Sequence, residues 1–211
     1  MRRANAQLKS DRRTEILDAA ARCFSRSGFH QTSMQTICAE AGMSPGNVYR
    51  YFPSKEAIIA AISERDLAQA ASDFAAVDQA PDFFTGFAAL GRQYLVERDR
   101  EEIALHLDIM AEARRNPEIR RIRESIQADV RAGLTGILRR AAERGELRRD
   151  VDFDKVVTVI MALGDGLEAR RAVDPSFSSE SVIDIVLDLV RYALTDCELA
   201  RGGAKENSDE G

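Results

Sequence analysis

Apolar residues recur three and four positions apart along almost the whole chain, and that spacing excludes most of what a polypeptide can fold into. Sustained alternation of apolar and polar residues, the mark of a half-buried strand, is absent, and no hairpin-type turn joins two alternating runs. The expected fold is therefore all-α. Near the N-terminus the helices are short and sharply punctuated. Ile16, Ala20, Cys23 and Phe24 form one stripe, stopped by Gly28, a residue type that readily takes the left-handed conformation just past a helix end. Thr32 and Ser33 are N-cap candidates for a second helix carrying Met34, Ile37, Cys38 and Ala41, stopped by Gly42. Ser44 and Pro45 open a third helix, and Ser54, after Pro53, caps a fourth with Ile58, Ile59 and Ile62.

Residues 42–58, GMSPGNVYRYFPSKEAI, gather weak helix formers in an otherwise helical chain. A helix of about seven residues cannot stand alone in water, so packing must hold it. Val48 and Phe52, four apart, supply one apolar stripe to press against Ile16, Phe24 and Ile37. The opposite face then has no structural duty. It carries Pro45, Gly46, Asn47, Tyr49, Arg50 and Tyr51, small or hydrogen-bonding groups that permit close approach of another backbone. Lys55, just past Ser54, puts a cation beside a helix N-terminus whose free amides favour phosphate. Short helix, glycine turn, short helix is the helix-turn-helix arrangement, whose second helix enters the major groove of DNA.

The run TSMQTICAEAGMSPGNVYRYFPSKEAI, residues 32–58, resembles the DNA-binding domain of the TetR family of bacterial transcriptional repressors, with a threonine-containing cap, an Ala-Gly turn and a Tyr-x-x-Phe-x-x-Lys run. The likeness covers residues 12 to about 60. It implies that Ser44, Pro45, Gly46, Asn47 and Tyr49 lie against DNA, that Tyr49, Tyr51 and Lys55 meet backbone phosphates, and that Thr32 and Ser33 present hydroxyl or amide groups to phosphate. For Ser33, Ser44 and Ser54, capping alone is the competing role. Arg50 departs from the commoner aromatic or polar residue of the family and reaches either a phosphate or Glu56. With few long polar groups on the recognition helix, specificity is expected to come from DNA shape and from Asn47.

Charge agrees with two regions of different partnership. The net charge is −5, yet residues 1–60 hold nine Lys/Arg against five acids, while residues 61–211 hold 21 against 30. The expected domains are a three-helix helix-turn-helix unit at 12–58, a larger helical effector-binding and dimerisation domain at 59–200, and a disordered, glycine-rich tail at 201–211. In the larger domain breaks are expected at Arg98 to Glu101, Asn116-Pro117, Gly145 and Val173 to Ser178. No apolar run is long enough for a membrane span and no signal core follows the basic N-terminus, so a cytoplasmic location is expected. Cys23, Cys38 and Cys197 are odd in number and scattered, which favours free thiols over disulfides.

The last two helices carry more apolar residues than one partner needs. Val182, Val186, Leu189 and Ala193 make one stripe and Ile183, Leu187, Val190 and Leu194 its neighbour. Val156, Ile160, Leu163 and Leu167 form an inner line on the preceding helix, beside a smoother Val159, Ala162, Gly166 and Ala169 surface. The reading is a two-fold homodimer through these helices. A palindromic operator in double-stranded DNA follows from it. The resemblance further implies a cavity for a small, largely apolar effector whose binding shifts the fourth helix. Phe84, Phe87, Tyr94, His106, Met110, Met161 and Asp165 are the candidate contacts, although aromatic and methionine stripes at helical spacing serve equally as core, and Asp165 has Arg170 or Arg171 within reach as ion partners. No nucleophile elbow, phosphate loop, dinucleotide fingerprint or metal-ligand spacing occurs, so neither an enzyme nor a cofactor is expected. The alternative is a DNA-binding architectural protein that senses nothing.

Overall fold

The computed structural model describes residues 2–196, with side chains from residue 8 onward. Cys197 and the expected tail at 201–211 lie outside the described residues. The elements are helices α1 (Arg2–Gln31), α2 (Met34–Glu40), α3 (Pro45–Tyr49), α4 (Lys55–Gln79), α5 (Phe83–Arg92), α6 (Arg100–Ala113), α7 (Pro117–Glu143), α8 (Phe153–Val173) and α9 (Ile183–Thr195). A π-helical turn (Gln93–Glu97) follows α5, and a 3-10 turn (Ser179–Ser181) precedes α9. Each of the four breaks expected in the larger domain coincides with a junction between elements, although Arg100 and Glu101 already belong to α6, Pro117 to α7 and Val173 to α8. Gly28, at φ 73°, interrupts α1 near its end, Gly42 at φ 64° closes α2, and Gly145 at φ 82° follows α7. These are left-handed conformations that a Cβ would strain. The first helix begins at Arg2, ahead of residue 12 where the sequence places the start of the DNA-binding unit.

The described residues divide into two compact units, the first made of residues 2–70 and 98–129, the second of residues 71–97 and 130–196. The first unit is thus larger than the 12–58 segment, because α6 and the start of α7 belong with it. Its core contains Ile16, Phe24, Ile37, Val48, Phe52, Ile58, Ile59 and Ile62, all buried, closed from the α6–α7 side by Leu105, Ala113 and Ile119. Removal of this much branched and aromatic side chain from water is the main force holding the short helices, at about 1.5–3 kcal/mol for each large residue. Cys23 and Cys38 are free thiols inside it, and burial pushes both pKa values up.

The second unit is built around Phe83, whose ring stacks on Phe87 at 5.4 Å and meets Phe84 edge-on at 5.3 Å. Asp82 caps α5 by accepting from the Thr85 amide at 3.0 Å, and the Phe83 amide donates to the Glu146 carboxylate. Buried Leu134, Ile137, Leu138, Val156, Val157, Ile183, Val190 and Leu194 complete the interior. Gly133 is fixed by packing: a Cβ there would lie 2.4 Å from the Phe74 ring. Arg171 donates to the Leu95 carbonyl at 3.2 Å, satisfying an acceptor in the π turn.

Candidate nucleic-acid interface and effector clefts

The turn between α2 and α3 is set by backbone bonds. The Gly42 amide donates to the Ala39 carbonyl at 3.1 Å and the Met43 amide to the Cys38 carbonyl at 2.9 Å, the pattern that closes a helix through a left-handed glycine. Ser33 caps α2, its hydroxyl accepting from the Thr36 amide at 3.0 Å. Ser54 does the same for α4 by accepting from the Ala57 amide at 3.2 Å. Ser44 is different. It sits at the N-cap of α3 in extended conformation, but its hydroxyl makes no cap bond, and Pro45 fills the first helical position.

α3 is held as the spacing predicts: Val48 and Phe52 are buried in the core with Ile16, Phe24 and Ile37, and the Arg13 guanidinium lies over the Phe52 ring at 5.3 Å. The outer surface presents Ser44, Pro45, Gly46, Tyr49 and Arg50 to solvent, with Tyr49 46% exposed; Asn47 and Tyr51 are half-buried. Tyr51 packs partly against the core. Gly46 has an ordinary φ, and a Cβ built there would meet nothing within 4 Å, so nothing in the fold itself requires a glycine at that position. Glu56, one of the two partners open to Arg50, accepts instead from Asn116 Nδ2 at 3.3 Å.

Two expected phosphate contacts are placed differently from their neighbours. Thr32 is 1% exposed and its hydroxyl points inward, within 2.8 Å of the Gly28 carbonyl and 3.1 Å of the Cys23 carbonyl. The hydroxyl named as a candidate phosphate contact thus bonds within the unit, and the Thr32 amide donates to the same Gly28 carbonyl at 3.3 Å. Lys55 folds onto Phe29, donating to its carbonyl at 2.5 Å with the ammonium 4.2 Å from the ring centroid. Partial burial there lowers the Lys55 pKa, with Glu56 and Glu112 pulling the other way.

The seven candidate effector residues divide between the units. His106 and Met110 lie on α6 in the first; Phe84, Phe87, Tyr94, Met161 and Asp165 lie in the second. Phe84 and Phe87 line a cleft of about 270 Å³ between α5 and α9, where Arg191 sits 4.0 Å over the Phe84 ring and Arg92 pairs with Asp184 at 2.5 Å. Tyr94 donates its hydroxyl to Asp73 at 2.8 Å. Met110 lines a separate cleft of about 400 Å³ at the α6–α7 junction with Arg114, Arg120 and Arg123, and His106 Nε2 lies 3.3 Å from Arg123 Nη1. Neither cleft includes Met161 or Asp165, which are half-buried on α8.

Two features of the site carry no signal in the periodicity. Glu112, only 5% exposed, accepts from His30 Nε2 at 2.7 Å and so joins the end of α6 to the end of α1. The arginines of the α6–α7 cleft, Arg114, Arg120 and Arg123, lie outside the apolar stripes that helical spacing defines. Among the described residues, no three His, Cys, Asp or Glu stand together as a metal site, and no helix is long and apolar enough to cross a membrane.

Known proteins match over most of this chain. Residues 16–62 match the family model described as bacterial regulatory proteins, tetR family, and residues 88–195 match the BetI-type transcriptional repressor C-terminal model. The HTH-type transcriptional regulator UidR of Escherichia coli strain K12 is 31% identical over 161 residues, 74% of this chain and 80% of that protein. The HTH-type transcriptional repressor Rv1474c of Mycobacterium tuberculosis is 30% identical over 183 residues, covering 85% and 93% of the two chains. Among solved structures, Salmonella enterica GusR superposes with a TM-score of 0.76 at 30% identity, over 89% of this chain and 96% of that one.

Proposed function

The chain belongs to the tetR family of bacterial regulatory proteins, DNA-binding regulators of transcription, and from that premise we propose that it is a repressor that grips a palindromic operator as a homodimer and lets go when a small effector binds. Residues 12–58 are the DNA-binding domain in this reading, and residues 59–200 carry sensing and dimerisation. Ser33, Ser44, Pro45, Gly46, Asn47, Tyr49, Arg50, Tyr51 and Lys55 meet the duplex, through phosphate for the cations and tyrosines and through the groove for Gly46 and Asn47.

The observation that carries the reading is the outer face of α3. Its inner residues fully account for how it is held, while Gly46 weakens the helix by roughly 0.5–1 kcal/mol with no return inside the fold. The Ser44 hydroxyl forgoes its cap, and Tyr49 stands out into water. A duplex surface lying close against this face explains all three.

The dimer reading is supported by α8 and α9. Ile183, Val190 and Leu194 are buried within one chain, whereas Val159, Ala162 and Gly166 on α8 and Ile185, Leu189 and Tyr192 on α9 are exposed. Apolar surface of this kind on two consecutive helices suits a two-fold interface, and it would set the recognition helices about one DNA turn, ~34 Å, or a multiple of it apart.

Selection of genomic fragments by the purified protein tests the function. The expected outcome is a small set of fragments sharing one inverted repeat, with compounds related to the neighbouring genes weakening the complex. Enrichment of many unrelated fragments, insensitive to any such compound, would instead fit a DNA-binding protein without a sensor.

A further inference from the structure

The ten residues from Arg114 to Arg123 hold five arginines (Arg114, Arg115, Arg120, Arg121, Arg123) and one acid, Glu118, in a chain whose net charge is −5. Three of the five, Arg114, Arg120 and Arg123, line the cleft of about 400 Å³ where α6 meets α7, and Glu124 is the acid on its wall. We propose that this cleft is the effector site and that it takes a small organic anion, a carboxylate or phosphate bearing a short apolar tail.

The geometry adds an anionic head group to the largely apolar ligand implied by resemblance. Arg120 donates from Nε to the Ala113 carbonyl and from Nη2 to the Arg114 carbonyl, both at 3.0 Å, so its guanidinium is fixed across the last turn of α6. Guanidinium has five N–H donors in a planar fork, and two bonds to backbone leave donors for a ligand oxygen while setting the direction in which they point. A cation already held in place gives up little side-chain entropy on binding. Arg123 is set by His106, with Nη1 and Nε2 3.3 Å apart; because arginine only donates, this contact gives the acceptor role to the imidazole nitrogen. Arg114 is exposed, so its side chain can close over a head group from outside. Met110 and Ala113 supply an apolar patch for the tail, and Gln127 a neutral hydrogen-bonding group. The volume falls within the roughly 300–1,000 Å³ range of small-molecule sites.

The cleft is also wired to the DNA-binding helices within the same compact unit. Ala113, on its wall, follows Glu112, whose buried carboxylate takes the His30 bond just before α2, and Asn116 in the α6–α7 turn holds Glu56 in the first turn of α4. Displacement of the end of α6 by an anion therefore acts on both ends of the helix-turn-helix. The regulatory meaning rests on the effector-released reading above; binding at the cleft does not.

The test uses full-length protein and isothermal titration calorimetry with sodium hexanoate, hexyl phosphate and neutral 1-hexanol. At least one anion should bind saturably and far more tightly than the alcohol, and the tighter of the two identifies the head group. Arg114→Gln and Arg120→Gln should each weaken it roughly tenfold or more, the worth of a charge-assisted hydrogen bond. Arg121→Gln, whose side chain is outside the cleft, should stay within about twofold. Arg120 also closes a helix end, so its variant is compared only if its melting curve is native-like; Arg114→Gln carries no such structural bond and decides the matter. Absence of saturable binding by both anions, or wild-type affinity in Arg114→Gln, overturns the proposal. Failure of the protein to bind operator DNA would count against the repressor reading and leave the calorimetry standing.

Discussion

Replacement of Gly46 by alanine should make the protein more stable and worse at binding DNA. Gly46 lies in the first turn of α3 at a negative φ, and a Cβ there has nothing within 4 Å to strike. Alanine in a helix interior is favoured over glycine by about 0.8–1.0 kcal/mol; at the second position of so short a helix about half of that applies, so the gain is roughly 0.5 kcal/mol. For a chain of this size, that corresponds to a rise in melting temperature of about 1–2 °C. On DNA the sign reverses, because the new methyl group stands where the groove wall or sugar–phosphate backbone must come close. A loss of about 1.4 kcal/mol, tenfold in affinity, is the smallest effect consistent with direct contact. Thermal melts followed by circular dichroism and anisotropy titrations against the selected operator read the two quantities separately. A variant that melts higher and binds as well as wild type would show that no DNA surface lies close to Gly46.

Tyr49→Ala should abolish operator binding with the helix content and dimer intact, because a side chain 46% exposed contributes little to the fold; a collapsed circular dichroism spectrum would place Tyr49 in the core instead. Leu189→Glu puts a charge on a side chain that is 54% exposed in the single chain, so each subunit should stay folded while sedimentation shifts from dimer to monomer; a mutant that still sediments as a dimer moves the interface elsewhere. Glu40 is bridged by Arg22 at 2.9 Å and Arg26 at 3.0 Å, hydrogen bonds that hold its pKa below the usual glutamate range. A folded-state pKa lowered in this way adds stability above the unfolded value of about 4.3 and loses it as pH falls through the depressed value. Glu40→Gln should therefore be less stable than wild type at neutral pH and match it in strong acid; denaturant melts at the two pH values check this.

What the sequence made legible is what neighbours along the chain decide. Gly28 and Gly42 end helices because a left-handed residue is needed within a few positions of the last turn, and that requirement is local. Ile16, Cys23, Val48 and Phe52 could be assigned to the core because their spacing defines a face before any partner is known. Ser33 and Ser54 cap as read, yet the same logic fails to distinguish Ser44, whose side chain makes no cap bond. Thr32 shows the limit more clearly: cap propensity and family likeness both describe a hydroxyl near a helix start, and only the path of the chain back past Gly28 decides that it turns inward. The pairing of Glu112 with His30 depends on where α6 meets a helix about eighty residues earlier, and the gathering of arginines around Met110 depends on the angle at which α7 leaves α6, which spacing along either helix does not set. For the same reason the candidate effector residues, chosen by type and spacing, fall into different units.

Operator binding requires α3 to be clamped from behind by Val48 and Phe52 so that its outer face can enter a duplex. Binding of the full-length protein to one selected operator at a series of salt concentrations tests this most directly. The prediction is a straight fall of log affinity with log salt at a slope of about −0.9 for each phosphate neutralised, steep enough for several contacts, and shallower by about one in Lys55→Ala. A flat line, or no saturable complex with any duplex in dilute salt, would contradict it.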